Sequence, residues 1–300
     1  MIYNKIYDFC KVKNKGNCFM NGPEPTPRVK FIMDLLDAEG IEYELDVFEG
    51  EKRKPYKFED RPERKREKKP EMIGRPERKP KKGMFDFLTD LGIKKIEDDE
   101  PEFVNKYFNI IMRGSSNKMI VAHHDINNPR PDNANDNSCS VINVIATKKL
   151  RPEINAVLLD GEEFGGIGSN HLSKQIKAGE FGVIDWVLNF ELTGKGGKYF
   201  FIGAYPGRLS DKITGRFNCP IVHTPFNDSV ILRRHGIDSV VINPIPPLPD
   251  GEKSSVQAPD GKYLDISMLY NCHSMKDSLS TISVEDMKEF VEEVVLKIID

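Results

Sequence analysis

Cysteine is scarce in this 300-residue chain, and the features of a secreted or membrane protein are missing. The five cysteines are an odd number, and the N-terminal residues lack the apolar stretch that a secretory signal requires. No apolar run approaches the roughly 18 residues that span a bilayer. No glycine-rich segment matches a phosphate-binding loop or a dinucleotide-binding fingerprint. These absences argue against a disulfide-stabilised, membrane-spanning or nucleotide-binding protein, and we expect a cytoplasmic one.

The charge of the chain is unevenly distributed. The formal net charge is −3, with 38% hydrophobic and 30% charged residues. The window 51–82 contains 15 basic and 7 acidic residues, so it carries +8 while the rest of the chain carries −11. An acidic body of this kind is typical of a protein whose site contains several carboxylates.

The basic window also contains prolines and a short repeat, because the pentapeptide at residues 61–65 recurs at residues 75–79. Prolines within such a density of charge do not support a packed element. We therefore predict that residues 50–83 form an exposed, mobile insertion in a single domain that spans residues 1–300. This segment could bind a polyanion such as nucleic acid. We favour a solvated linker instead, because acidic residues are interleaved and no nucleic-acid-binding motif is present.

Hydrophobic periodicity predicts alternating strands and helices. Residues 26–40 have the spacing of a helix that starts at Thr26-Pro27 and stops at Gly40, and residues 41–48 alternate as a strand does. Further strands are predicted at residues 107–113, 118–123, 154–160, 186–191, 199–202 and 237–242, and helices at residues 137–149, 167–178, 209–217, 227–235 and 284–298. The alternation indicates an α/β fold around a largely parallel sheet, in which functional residues collect at the carboxyl ends of the strands.

Imidazole and carboxylate side chains occupy those strand ends and the loops near them. His123 ends one apolar strand, and Asp125, two residues later in extended backbone, would point to the same side and orient the imidazole. Further candidates follow at Asp136, at the adjacent Glu162 and Glu163, at Glu191 and at His273. Mixed histidine and carboxylate ligands suit zinc, and manganese or cobalt can occupy the same set.

In this order and spacing the residues resemble the di-zinc exopeptidases that include the bacterial leucyl aminopeptidases and, as relatives, the glutaminyl cyclases. The resemblance covers residues 105–299. It rests on His-x-Asp, Asn-Asp-Asn, Asp-x-Glu-Glu-x-Gly followed by Gly-Ser, an acid at a strand end, and His-Ser-x-x-Asp. It implies a three-layer α/β/α fold with a mostly parallel, mixed central sheet.

The resemblance also implies roles for individual residues. Two divalent metal ions, zinc in the first place, would be held by His123 and Glu191 at one position, by Glu163 and His273 at the other, and by Asp136 between them. Glu162 would be the general base, and Asp125 would orient His123. Asp228 matches, loosely, a family aspartate near the substrate pocket.

The activity that this resemblance implies is hydrolysis of peptide (amide) bonds by an aminopeptidase, in which two zinc ions activate a water molecule and Glu162 takes its proton. The substrate would be a peptide or an aminoacyl compound. The chain departs from the family at Glu191, where these aminopeptidases usually have Asp, and at Asn135 and Cys139, which replace small residues. A one-zinc glutaminyl-cyclase-like aminoacyltransferase and a catalytically idle binding member of the family are the alternatives.

The other histidines and Cys272 have plainer interpretations. His124 should face the opposite side of the strand from His123, and we expect His171, His223 and His235 to be structural. Cys272 precedes His273, but neighbours in sequence seldom form a nucleophile and base pair, so we do not predict a catalytic thiol.

Overall fold

A computed structural model of the chain describes residues 2–12, 24–50, 106–126, 131–224 and 226–300. These residues form a mixed sheet of eight strands with helices against both of its faces. Apart from Gly50, the insertion expected at residues 50–83 lies outside the described residues.

The strands are β1 (Glu44–Glu49), β2 (Lys106–Met112), β3 (Lys118–His123), β4 (Asn155–Leu159), β5 (Trp186–Phe190), β6 (Phe200–Gly203), β7 (Ile221–Val222) and β8 (Ser239–Pro244). Their order in the sheet is β1-β2-β4-β3-β5-β8-β6-β7. The central pairs β4/β3, β3/β5 and β5/β8 are parallel, as is β6/β7 at one edge. The pairs β1/β2, β2/β4 and β6/β8 are antiparallel. The predicted mostly parallel, mixed sheet is therefore confirmed.

The helices are α1 (Ile6–Phe9), α2 (Pro27–Glu39), α3 (Cys139–Leu150), α4 (Ile167–Lys177), α5 (Arg208–Phe217), α6 (Asp228–Arg234), α7 (Val284–Glu289) and α8 (Leu296–Ile299). A π-helical stretch, Phe290–Val295, joins α7 to α8 in one C-terminal helix. Short 3-10 or π turns occupy Ile2–Lys5, Ala134–Ser138, Ile266–Asn271 and Leu279–Thr281. Within the described ranges no helix is long and apolar enough to cross a membrane.

Local sequence explains the bounds of α2. The side chain of Thr26 accepts a hydrogen bond from the backbone nitrogen of Val29 at 3.3 Å, and Pro27 occupies the first turn, where its missing N–H is not needed. The helix ends at Gly40, whose φ of 68° lies in the left-handed region that glycine adopts without steric cost. These are the start and stop signals from which the helix was predicted.

Alternation of side chains along β3 divides the core between the two faces of the sheet. Ile120 and Ala122 belong to the larger apolar cluster, which includes side chains of α2, α3 and the C-terminal helix. Met119 and Val121 belong to a second cluster on the other face, with Leu172 of α4. Helices therefore cover both faces, which confirms the three-layer α/β/α architecture.

Several details differ from the sequence predictions, among them the following. The four-residue helix α1 was not predicted, because it is too short for helical periodicity and is stabilised by the burial of Ile6 and Phe9. The two-residue strand β7 was missed for the same reason of length. Strand β1 begins at Glu44, three residues later than expected.

Candidate metal centre

Three neighbouring strands bring imidazole and carboxylate side chains to one edge of the sheet. Strand β3 ends at His123, and its parallel neighbour β5 ends one residue before Glu191. On the other side of β3, His123 pairs with Leu159 at the end of β4, and the turn that carries Glu162 and Glu163 follows. Because these strands are parallel, their carboxyl ends lie together.

The imidazole of His123 is buried between two carboxylates. Its Nε2 lies 3.3 Å from Oε1 of Glu191 and 3.4 Å from Oδ1 of Asp136. The His123 side chain is only 1% exposed. We call His123, Asp136 and Glu191 the inner group.

The second imidazole, that of His273, lies near the other oxygen of Asp136. Its Nε2 is 3.1 Å from Oδ2 of Asp136 and 3.0 Å from Oε2 of Glu163. These two carboxylates raise the pKa of His273 to about 10. The His273 side chain is 53% exposed, and its backbone has a φ of 60°. We call Asp136, Glu163 and His273 the outer group.

Both groups have the donor types and spacing that a divalent metal ion requires. The donor atoms of each group lie within 4.8 Å of one another. Zinc with nitrogen and oxygen ligands at about 2.0–2.2 Å in a tetrahedron places its donors roughly 3.3–3.6 Å apart, and the separations around the two imidazoles are 3.0–3.4 Å. Oε2 of Glu191 is buried without a hydrogen-bond partner in the described part of the chain, so a lone pair is available to an ion. The residues therefore fit a divalent ion in each group.

Burial of several carboxylates dominates the electrostatics of this site, and repulsion among them adds to its effect. Burial raises the pKa of Glu162 to about 10; nearby Asp228 and Glu191 add to the shift and His123 opposes it. Burial also raises the pKa of Glu191. For His123 burial lowers the pKa, but the surrounding carboxylates outweigh burial and hold that pKa well above its ordinary value. Positive charge bound among these groups would favour the ionised carboxylates against the effect of burial and of their mutual repulsion.

The sequence from residue 109 to residue 297 matches the model of peptidase family M28. The chain belongs to this family. Membership confirms the resemblance seen in the sequence and makes the chain a member of a metal-dependent peptidase family. No curated protein matches the M28 chain significantly.

Solved structures share the fold of this M28 chain. A zinc aminopeptidase from Bacillus subtilis is 17% identical with a TM-score of 0.50, over 65% of this chain and 50% of that one. A glutaminyl cyclase from an Acidobacteriales bacterium is 17% identical with a TM-score of 0.60, over 99% and 92% of the two chains. A Bacteroides thetaiotaomicron glutaminyl cyclase is 15% identical with a TM-score of 0.59, over 99% and 96%. The chain thus spans about half the length of the aminopeptidase and nearly the whole length of the cyclases, and at these identities the likeness establishes the fold.

In the M28 chain, Asp125 joins two parts of the site. Its Oδ1 lies 3.4 Å from Nδ1 of His123, and its backbone oxygen lies 3.3 Å from the same nitrogen. Its carboxylate also accepts hydrogen bonds from the backbone nitrogens of Glu162 and Glu163, both at 3.1 Å. The sequence led us to expect the contact with His123 but not the contacts with the glutamate turn. Asp125 therefore orients an imidazole of the inner group and the backbone of both glutamates.

Asp228, the first residue of α6, is fully buried close to the inner group. Burial raises its pKa to about 7; the charge of Glu191 adds to the shift, while His123 and the nearby Ser169 hydroxyl oppose it. Neither carboxylate oxygen has a partner in good hydrogen-bonding geometry among the described residues. The site thus contains a buried acid whose hydrogen-bonding capacity is largely unused.

Arg28 is a residue of the site that the sequence predictions missed. This buried side chain donates from Nε to the backbone oxygen of His124 at 2.9 Å and from Nη2 to Oγ of Ser138 at 3.0 Å, and it stacks on the ring of Phe9 at 4.0 Å. It connects α2 to the backbone of the residue after His123 and to the side chain of Ser138, two residues after Asp136. A signal existed in the sequence, since residue 28 lies at helical spacing from buried Ile32 and is therefore a charged residue on an apolar face.

Asp277 was also missed as a functional residue. Its carboxylate accepts hydrogen bonds from the backbone nitrogens of Asn135 at 2.8 Å and Asp136 at 3.1 Å. The residue ends the motif His-Ser-x-x-Asp, so its presence was noted, but nothing in the spacing indicated its partners.

The remaining histidines and Cys272 lie outside both groups. The partner of His124 Nε2 is the backbone oxygen of Phe108 at 2.8 Å, that of His171 is Asp46 at 3.2 Å, and that of His235 is Asn170 at 2.8 Å. Burial raises the pKa of Cys272 far above its ordinary value, which disfavours the reactive thiolate.

Proposed function

We propose that the chain is an aminopeptidase that uses two divalent metal ions, zinc in the first place, to hydrolyse the N-terminal amide bond of peptides. The main support is Asp136, whose carboxylate oxygens lie 3.4 Å from His123 and 3.1 Å from His273. A carboxylate between two imidazoles suits a bridge between two ions. Under this proposal His123 and Glu191 hold one ion, and Glu163 and His273 hold the other.

Zinc bound at such a site polarises a carbonyl and makes water more acidic. The chain itself supplies the proton transfers. The carboxylate of Glu162 accepts a proton from the attacking water and returns it to the departing amine. Bound cations would offset the burial and the neighbouring negative charges that raise the pKa of Glu162, and so favour the ionised, proton-accepting form. Asp125 holds the backbone of Glu162 in place for this task.

Asp228 is proposed to bind the substrate. A protonated N-terminal amine has three donors and a positive charge, which suits a buried carboxylate with free acceptor capacity. Binding of the amine would also favour the ionised form of Asp228, whose pKa is raised to about 7 by burial.

A one-metal transferase of the glutaminyl cyclase type is the second candidate. The extent of the structural match favours it, since the two glutaminyl cyclase structures align with 99% of this chain, and the aligned part covers more than nine-tenths of each cyclase chain. The outer group contains two carboxylates and one imidazole, which is enough to hold a single zinc ion with an open position.

Metal counting combined with two substrates separates the candidates. The full-length protein would be stripped with a chelator and reloaded with zinc, manganese or cobalt. It would then be assayed on aminoacyl-coumarins and on a peptide that begins with glutamine. We expect two ions per chain and coumarin release that requires the metal. One ion per chain with cyclisation of the glutamine would favour the transferase, and a protein that binds no divalent ion would contradict both.

The variant Glu162→Gln tests the general base. We expect it to keep the metal content of the wild type and to lose about 10²–10⁴-fold in turnover. Glu180→Gln makes the same chemical change at an exposed position and should leave turnover unchanged. Wild-type turnover in Glu162→Gln would show that another group accepts the proton.

A further inference from the structure

Asp277 lies on the loop of the outer group, four residues after His273, and is 2% exposed. Its two carboxylate oxygens accept hydrogen bonds from consecutive peptide nitrogens, those of Asn135 and Asp136. Hydrogen bonds to an ionised acceptor are among the stronger ones in proteins, and these two fix the orientation of the consecutive peptide units on either side of Asn135. The backbone of the shared ligand is thereby attached to the loop that carries an outer ligand.

A second attachment joins the same two loops without contacting Asp136. The backbone nitrogen of Asp132 donates to the backbone oxygen of Asp277 at 3.1 Å. The carboxylate of Asp132 accepts a hydrogen bond from the backbone nitrogen of Leu279 at 3.0 Å. Each loop thus contributes an aspartate to the junction, and of the two it is Asp277 that contacts the backbone of the shared ligand.

On its other side, Asp136 is attached to the strand end of the inner group. Asn137 donates to the backbone oxygen of Phe190 at 3.0 Å and accepts from the backbone nitrogen of Leu192 at 3.1 Å. These bonds flank Glu191. The peptide at Asp136 is therefore held from two directions, by Asn137 toward the inner group and by Asp277 toward the outer group.

We propose that Asp277 is a positioning residue that sets the separation of the two metal ions by fixing the backbone of Asp136 to the loop of His273. The inference rests on the proposed two-metal function. Each oxygen of Asp136 faces its own imidazole while the backbone keeps this orientation. Because strands hold His123 and Glu191, loss of the Asp277 carboxylate weakens the outer ion more than the inner one.

Titration of metal-free, full-length protein with cobalt(II) tests this role, with calorimetry for affinity and visible absorption for the ligand environment. In Asp277→Asn an acceptor oxygen is replaced by a donor that faces a peptide N–H. We expect the second cobalt ion to bind about 10–100-fold more weakly and the spectrum of the two-ion form to change. The first ion should bind with nearly the affinity of the wild type.

Asp132→Asn is the matched control, because it makes the same change at the same junction and leaves the hydrogen bonds to Asp136 in place. We expect its second cobalt ion to bind within about threefold of the wild type, as small local changes in stability do not reach the ligands. Equal losses of affinity in the two variants would show that the junction as a whole matters, and would overturn the specific role of Asp277.

Two further outcomes are distinguishable. Wild-type protein that binds no cobalt would overturn the proposed function, whereas two ions in the wild type and an unchanged second affinity in Asp277→Asn would overturn this inference alone. If Asp277→Asn fails to fold, Asp277→Glu keeps both acceptor oxygens one methylene farther out and should shift the spectrum in the same direction by less. An unchanged spectrum in that variant would also overturn the inference.

Discussion

The inner and outer groups share Asp136, but the chain builds them differently. In the inner group His123 and Glu191 come from the ends of adjacent parallel strands, and His123 is 1% exposed. In the outer group His273 lies in a loop at a φ of 60° and is 53% exposed. The end of a strand and the adjacent Asp125 position the inner imidazole, whereas the outer one lies on a loop that hydrogen bonds connect to the loop of Asp136. We expect substitution of an inner ligand to lower the stability of the protein, and substitution of an outer ligand to weaken mainly the binding of metal.

Removal of the carboxylate of Asp136, which both groups share, should affect the inner and the outer group alike. Asp136→Asn keeps the volume of the side chain but removes the charge, so we expect both ions to bind more weakly. Peptide hydrolysis should fall about a thousandfold, because several kcal/mol of transition-state stabilisation by metal are lost. Metal analysis and kcat/KM measure the effect, with exposed Asp211→Asn as the control. Loss of only one ion would show that Asp136 does not bridge.

Alanine at each imidazole tests the contrast directly. In the metal-free protein the raised pKa of His123 keeps its ring positively charged between Asp136 and Glu191, and its removal leaves buried carboxylates without a counter-charge. We expect His123→Ala to lower the free energy of unfolding by about 3 kcal/mol. His273→Ala, at an exposed ring, should lower it by less than about 1 kcal/mol. Urea unfolding compares the two variants, and equal losses would contradict the distinction.

Arg28 provides a further test of whether the inner group contributes to stability, because its side chain donates to the backbone beside His123. Arg28→Met leaves the buried backbone oxygen of His124 and the hydroxyl of Ser138 without this donor. We expect the free energy of unfolding to fall by about 2 kcal/mol. Lys30→Met, on an exposed position of the same helix, should change it by less than about 0.5 kcal/mol. If both variants lose equally, the hydrogen bonds of buried Arg28 contribute no more to stability than an exposed lysine does.

The last prediction concerns the buried charge of Asp228. Its pKa in the folded state is about 7 against an ordinary value of 3.8, so folding favours its protonated form, and the ionised form destabilises the protein as pH rises from about 4 through 7. Metal-free Asp228→Asn should therefore be more stable than the wild type at pH 8 by at least about 1 kcal/mol. The difference should vanish near pH 4. Thermal unfolding at both pH values measures it, and a pH-independent difference would contradict burial of the charge.

Much of the fold was predictable because its signals are local. The caps of α2 at Thr26 and Gly40 are neighbouring residues, and the apolar run that ends at His123 marks both a strand and its carboxyl end. The five candidate ligands were named from the motifs, and the structure brings them together in two groups; metal binding by them stays a prediction. The confirmed family and sheet came from the same signals.

The missed residues have partners that are distant in sequence. Arg28 donates to a backbone oxygen 96 positions away, and Asp277 accepts from a backbone nitrogen 141 positions away. Backbone partners carry no side-chain pattern, so spacing within one sequence does not indicate them. The contacts of Asp125 with the glutamate turn escaped prediction for the same reason.

Parallel pairing of β3 with β4 and β5 sets the distances among the donors as well as the shape of the sheet. Adjacent strands lie about 4.7–4.9 Å apart, which two converging side chains can close around one ion. The register that pairs Val121 with Asn189 continues toward His123 and Glu191. A shift of β3 by one residue in register would turn His123 to the opposite face of the sheet and move Ile120 out of its apolar cluster. A shift in register would therefore disrupt the core and separate the donors of the metal centre at the same time. Packing of the core thus also preserves the arrangement of the donors at the edge of the sheet.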